Sequence, residues 1–147
     1  MPDSSNTRTS SKRALSQMDY ETLAEFRYAL RKFLHFSEEA AGLAGLTAQQ
    51  HQALLAIRGF PGREQITIGE LAEKLQIRHH SAGGLVDRLI RENLVRREAA
   101  VDDLRKVFVS LTESGTRVLE ELSTSHREEL RVLGPDLLSA LQRHVSH

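Results

Sequence analysis

Residues 77–94 read IRHHSAGGLVDRLIRENL, and the types in it suit recognition better than reaction. His79, His80 and Ser81 bring small donors and acceptors, and Arg78 and Arg88 bring permanent charge. Leu85, Val86, Leu89 and Ile90 recur at helical spacing behind them, so one face is buried and the other is wet. Gly83 and Gly84 stand in the first turns, where each costs about 1 kcal/mol relative to alanine. Three accounts of this pair stay open: a loop with the helix starting only at Leu85, a helix front that orders on a partner, or a backbone that approaches another surface closely. Positive φ in a turn would be a further reason for glycine. A second polar group follows at Asp103, Arg105 and Lys106.

Other chemistries fit these residues less well. Ser81 is too close in sequence to His79 and His80 for a triad, since neighbours on one turn do not converge on an outside atom. No phosphate-binding glycine loop is present, so the chain is not expected to be an enzyme. The seven histidines, His35, His51, His79, His80, His126, His144 and His147, are scattered, and there is no cysteine. No His-x-x-x-His pair stands out, so no metal or cofactor is expected, and a metal-responsive protein is kept as an alternative. His126 lies on an apolar stripe and reads as a satisfied interface histidine.

The elements that must position these groups are mostly helical. The chain has 147 residues, room for one domain or a compact module with helical extensions. No apolar run approaches the length of a membrane span, and the N-terminus has no apolar segment of a secretory signal. The absence of cysteine excludes disulfides and allows a cytoplasmic home. Net charge is zero, but it is unevenly placed. Residues 76–106 carry seven Lys and Arg against five acids, whereas residues 19–70 carry five against seven. The excess of positive charge falls on the segment with the histidines, where an acidic partner would bind.

Residues 1–16 are rich in Ser and Thr and read as a disordered arm. From Asp19 to Ala44, Leu23, Phe26, Leu30, Phe33 and Ser37 form a near-heptad seam that needs a partner, in its own subunit or another. Thr47 caps the next helix, which ends at Gly59, Pro61 and Gly62. Ile66–Ile68 reads as a short strand and Gly69–Leu75 as a short helix. After the opening stretch the period changes to two: Leu94–Arg97 is one strand, and Val107, Val109 and Leu111 mark another. The residues between them, EAAVDDL, form an acidic hairpin tip, with Arg105 where the second strand begins. Thr112 caps a further helix, Gly134 and Pro135 interrupt it, and Leu137–Val145 starts again.

A short helix, a turn and a second helix followed by a β-hairpin make a winged helix-turn-helix. A helix is about 10–12 Å across, close to the width of the DNA major groove. Its N-terminal residues meet base edges while its dipole faces phosphates, and an arginine on the wing reaches a minor groove. The run DLRKVFVSLTESG, residues 103–115, resembles the Asp-x-Arg…Val-x-Leu-Thr-x-x-Gly signature of the multiple-antibiotic-resistance regulator (MarR) family. LVDRLIRENLVRR resembles that family's recognition helix running into its wing, and LTAQQHQALLAI and TIGELAEKLQI resemble the helices before it.

The resemblance implies a mainly α protein with a small β wing. Its divisions would be a helix-turn-helix domain over 47–115 and dimerisation helices over 17–46 and 116–147. It also implies a cytoplasmic homodimer that binds a pseudo-palindromic double-stranded DNA operator, usually as a repressor. A small anionic or aromatic effector between the two domains would release the DNA, and Tyr28, Arg31, His35, Phe60 and Arg63 would line its pocket. By the same resemblance, Arg105 enters the minor groove, Asp103 orients the wing by pairing with an arginine, and Lys106 flanks it. Gly115 allows the turn into the last helix, and Arg88 is partly structural. The sequence departs from the family where Gly83 and Gly84 replace a common Thr-Arg pair, and where Arg78 replaces a capping Ser or Asp. Arg78, His79, His80, Ser81, Gly83, Gly84 and Arg88 are then the DNA-facing set. A winged helix that contacts only proteins is the other alternative.

Overall fold

The structure is a computed structural model and describes residues 14–100, 102–103 and 105–145. The first helix, α1 (Gln17–Leu43), starts at a capping box. The Ser16 hydroxyl accepts from the Asp19 N–H, and the Asp19 carboxylate accepts from the Ser16 N–H. Ser16 therefore belongs to the folded part, and the rest of the expected arm up to residue 13 lies outside the described residues. Thr47 and Gln50 form the same box at the start of α2 (Ala48–Arg58).

Strand β1 (Gln65–Ile66) stops one residue before Thr67, which caps α3 (Ile68–Leu75) in a third box with Glu70. The strand expected over Ile66–Ile68 is thus shorter and earlier, because Ile68 is already helical. Helix α4 spans His79–Arg91, β2 Val95–Ala99, β3 Val107–Leu111 and α5 Glu113–Val145. The three strands form one antiparallel sheet in the order β1-β3-β2. The hairpin ladder runs from Val95 opposite Leu111 to Ala99 opposite Val107. Glu98 and Ala99, expected at the hairpin tip, are therefore paired strand residues, and the tip begins at Ala100, whose N–H donates to the Lys106 carbonyl at 2.9 Å.

The expected break at Gly134 and Pro135 does not occur, and α5 continues through Pro135. A proline inside a helix forfeits one backbone hydrogen bond at a cost of about 3 kcal/mol. Here Pro135 and Arg131 are exposed, so the freed carbonyl meets water. Leu133 and Ala140 bury on either side of it, and Arg143 pairs with Glu25 of α1 at 3.1 Å. Packing along α1 overrides the local signal.

Leu54, Ile57, Ile66, Leu71, Val86, Leu89 and Val109 are fully buried. They draw α2, α3, α4 and the sheet into one core. The outer helices are covered less well. Leu23 and Leu30 of the expected seam stay 39% and 37% exposed, and Val132, Leu138 and Val145 of α5 are more open still.

Candidate nucleic-acid interface

Helices α3 and α4 meet through a tight turn. Gln76 takes the left-handed conformation at φ 54°, and the Ile77 N–H donates back to the Ala72 carbonyl at 2.9 Å. Ala82, Leu85, Val86 and Leu89 bury one side of α4. His80, Gly84, Asp87, Arg88 and Arg91 are exposed, and by helical spacing they run along the opposite side. His80, Ser81, Gly84 and Arg88 share a shallow depression with Gln49 at the start of α2. His79 is also exposed but leans toward α3, with Nδ1 3.9 Å from where a Cβ on Gly69 would stand.

Arg78 is the N-cap of α4, and its side chain caps nothing. The first N–H groups of α4 thus lack a side-chain acceptor, an arrangement that favours an external anion. The glycine question is answered in part. The helix begins at His79, so the loop account fails, and neither Gly83 nor Gly84 has positive φ. A Cβ added to either meets nothing within 4 Å, so the protein's own packing does not demand glycine there. Gly84→Ala should then stabilise the free protein by a few tenths to about 1 kcal/mol. The same methyl should weaken binding to a surface that seats against this ridge. Thermal melts paired with a duplex titration check the opposite signs, and equal or improved binding would remove the close-approach account.

The wing is tied to α4 through Asp87, whose carboxylate accepts from Arg97 at 2.6 Å. This tie was not expected from sequence: the partner falls in another element, and Asp87, not Arg88, carries the structural role. Arg88 is exposed. A groove between α4 and β2 is lined by Asp87, Ile90, Arg91, Val95, Arg96 and Arg97, among others. Arg96 pairs with Glu98 at 2.8 Å, whereas Arg91 makes no ion pair among the described residues. The sequence signal for Arg91 and Arg96 was the local excess of positive charge, which does not single out positions.

Asp103 orders the wing tip by a route other than the one expected. Its carboxylate accepts from the Arg105 N–H at 3.0 Å, and its carbonyl accepts from the Lys106 N–H at 3.1 Å. It therefore holds the main chain, leaving the Arg105 and Lys106 side chains exposed. Gly115 is also corrected. It lies inside the first turn of α5 without positive φ, and a Cβ there would stand 2.0 Å from the Leu94 carbonyl oxygen. Close backbone approach requires the glycine.

The five residues expected to line an effector pocket fall on two parts of the chain. Tyr28, Arg31 and His35 are exposed on α1, where the Lys32 ammonium lies 4.6 Å from the Tyr28 ring centre and His35 pairs with Glu39 at 3.1 Å. Phe60 and Arg63 lie after α2, with the guanidinium 4.1 Å from the ring centre. Arg63 also pairs with Glu70. Burial alone would raise the Glu70 pKa, but hydrogen bonds from Thr67 and the Arg63 charge outweigh it and hold the carboxyl below its usual range. Arg63 is thus used to fasten the loop onto α3.

His126 is satisfied at the α1–α5 contact, bonded to the Leu122 carbonyl and the Ser37 hydroxyl. Among the described residues no group of three or more His, Asp or Glu is placed to hold a metal, and His147 lies outside them. No helix among them is long and apolar enough to cross a membrane.

A helix pair joined by a tight turn, followed by a hairpin tied back to the second helix, defines a winged helix-turn-helix protein. Residues 44–106 match the MarR family model. Proteins of that family are transcriptional regulators, not enzymes. Over 66 residues the chain is 35% identical to the uncharacterized HTH-type transcriptional regulator YsmB of Bacillus subtilis (strain 168). That stretch spans 45% of each protein. The fold is shared with AbsC, a MarR family transcriptional regulator from Streptomyces coelicolor, at TM-score 0.71 and 23% identity over 89% of this chain and 91% of that one. The transcriptional regulator PA4135 is 26% identical at TM-score 0.63, over 90% and 95% of the two chains. An S. aureus MepR variant bound to an oligodeoxyribonucleotide is 20% identical at TM-score 0.64, over 86% and 96%.

Proposed function

We propose that this protein is a DNA-binding transcriptional regulator that reads a pseudo-palindromic operator as a homodimer in the cytoplasm and represses from it. The observation that carries the reading is the exposed line His80–Gly84–Arg88–Arg91 on α4, set beside a wing whose Arg105 and Lys106 are held outward by Asp103. The helix supplies base contacts from the major groove, and the wing adds phosphate and minor-groove contacts. The dimer rests on the apolar side chains that α1 and α5 leave open at both chain ends, which suit a second copy joined along helices 17–46 and 116–147, with 47–115 as the DNA-binding unit.

The five residues first considered for an effector fall on α1 and on the loop after α2. A groove of about 350 Å³ between α1 and α5, lined by Phe36, Ala40, Leu43 and Leu122, also carries Glu39 and Glu121. Those carboxylates disfavour an anion, so an uncharged aromatic molecule is the effector this groove suits.

The test is selection of duplexes from a randomised 30-base-pair pool, with light scattering for the mass of the free protein. Enrichment of a sequence with two related half-sites, by a species of twice the chain mass, is the expected result. Arg105→Ala should then weaken that duplex about tenfold and reduce the salt dependence of binding, with melting unchanged. Wild-type affinity in the variant would remove the wing from the interface.

A further inference from the structure

The joint where α1, α2 and α5 meet holds two histidine rings packed against each other at a tilt of 38°. His51 of α2 is 3% exposed, and its ring centre is 4.7 Å from that of His126 on α5. Phe33 and Phe36 of α1 close around His126, with ring centres 5.8 and 5.3 Å away and edges turned toward it. The Nδ1 of His51 is buried and has no hydrogen-bond partner. The His126 arrangement is different. A carbonyl only accepts, so Nδ1 of His126 donates to Leu122 at 2.6 Å. Its Nε2 then accepts from the Ser37 hydroxyl at 2.7 Å when the ring is neutral.

A proton on Nδ1 of His51 has no acceptor in the closed joint and would leave an unpaired charge buried against the His126 ring. We infer that the His51–His126 pair is an acid-sensitive joint, closed while His51 is neutral and driven open by its protonation, so that acidification loosens α2 and the reading helix from α1 and α5. Its regulatory consequence, weaker operator binding in acid, rests on the DNA-binding homodimer proposed above, since the joint links the dimer helices to the reading head.

The surroundings agree. The charge acting on His51 is that of His126, and burial first, then this charge, hold the His51 pKa below its ordinary value. Glu39 and Glu121 lie in the groove beside Phe36 and Leu122, and Arg58, Glu120 and Arg127 line a depression on the other side of α5 near Leu119. None of the three carboxylates provides a hydrogen-bond acceptor to His51 Nδ1.

The sign follows from the depressed pKa. The unfolded chain binds more protons than the folded one below the ordinary imidazole value of about 6.5, so stability present at neutral pH is lost as pH falls through that value. Full-length protein and its His51→Leu variant would be melted at pH 7.5 and 5.5, with His51→Phe as a second variant that keeps a ring in the joint. Wild type is expected to lose about 3 °C more than either variant over this range. Imidazole ¹⁵N spectra of the wild type should show His126 carrying its proton on Nδ1 at pH 7.5, and His51 taking up its proton at lower pH only together with opening of the joint.

With a duplex enriched from the randomised pool, wild-type affinity at fixed salt should fall about tenfold relative to His51→Leu between the two pH values. The comparison with His51→Leu at the same two pH values cancels the contribution of every other group. Equal melting losses in wild type and both variants overturn the joint. A joint that passes the melting test while affinity tracks the variant overturns only its regulatory role. Failure to enrich any duplex overturns the DNA reading and the regulatory role together, and the melts still decide the joint.

Discussion

Replacing Gly115 with alanine is expected to destabilise the folded protein by about 3 kcal/mol or more, at the upper end of overpacking effects. The new Cβ would lie 2.0 Å from the Leu94 carbonyl oxygen and 3.0 Å from its carbonyl carbon. Both are backbone atoms, so no side chain can rotate away. Nor is Leu94 free to move. Its N–H donates to the Leu89 carbonyl at 2.9 Å, and its carbonyl accepts from the Thr112 N–H at 3.0 Å. Thr112 is fastened on both sides, donating its hydroxyl to the Asn93 carbonyl at 2.7 Å and accepting from the Gly115 N–H at 3.1 Å. Relief of the clash would have to part the start of α5 from the end of the recognition helix and the root of the wing. Urea unfolding of the variant measures the loss, and an unchanged midpoint would show that this backbone crossing is looser than described.

Leu89→Ala should cost about 3 kcal/mol, in the usual range for a buried leucine cut to alanine. Leu89 is fully buried in the core shared by α2, α3, α4 and the sheet. The cavity opens directly beneath the reading ridge of α4, so the recognition helix loses its main anchor to the sheet. The expected pattern is a large fall in the unfolding midpoint, with DNA affinity falling chiefly where the folded fraction falls. Arg105→Ala should give the reverse pattern, with affinity lost and stability kept. If Leu89→Ala unfolds like wild type, the core does not hold α4 in the way described here.

The two substitutions also mark what could be read before the structure. The buried face of α4 was legible because Leu85, Val86 and Leu89 repeat at helical spacing, and only that spacing puts them on one side. The caps at Thr47 and Thr112 were legible for a similar reason, since a hydroxyl needs only an N–H a few residues away. The capping box at Thr67 is equally local but falls in the middle of the strand expected over Ile66–Ile68, because Ile66 and Ile68 look alike to a period-two reading.

Contacts between distant parts of the chain followed different rules. Pro135 reads locally as a helix breaker, yet α5 passes through it because Leu133 and Ala140 bury against α1. Gly115 reads as a turn residue, yet its role is set by a carbonyl 21 positions earlier in the chain. The roles of Asp87 and Asp103 were hidden because their partners are chosen by the hairpin's placement. The sequence by itself determined the winged helix-turn-helix, its exposed basic edge and the caps at Thr47 and Thr112, because periodicity and side-chain-to-backbone bonds act within one or two turns. Only the tertiary structure decided the unbroken α5, the Gly115–Leu94 crossing and the His51–His126 contact. Each of these depends on which distant backbone or ring is brought within a few ångströms, and that is settled by how the core packs.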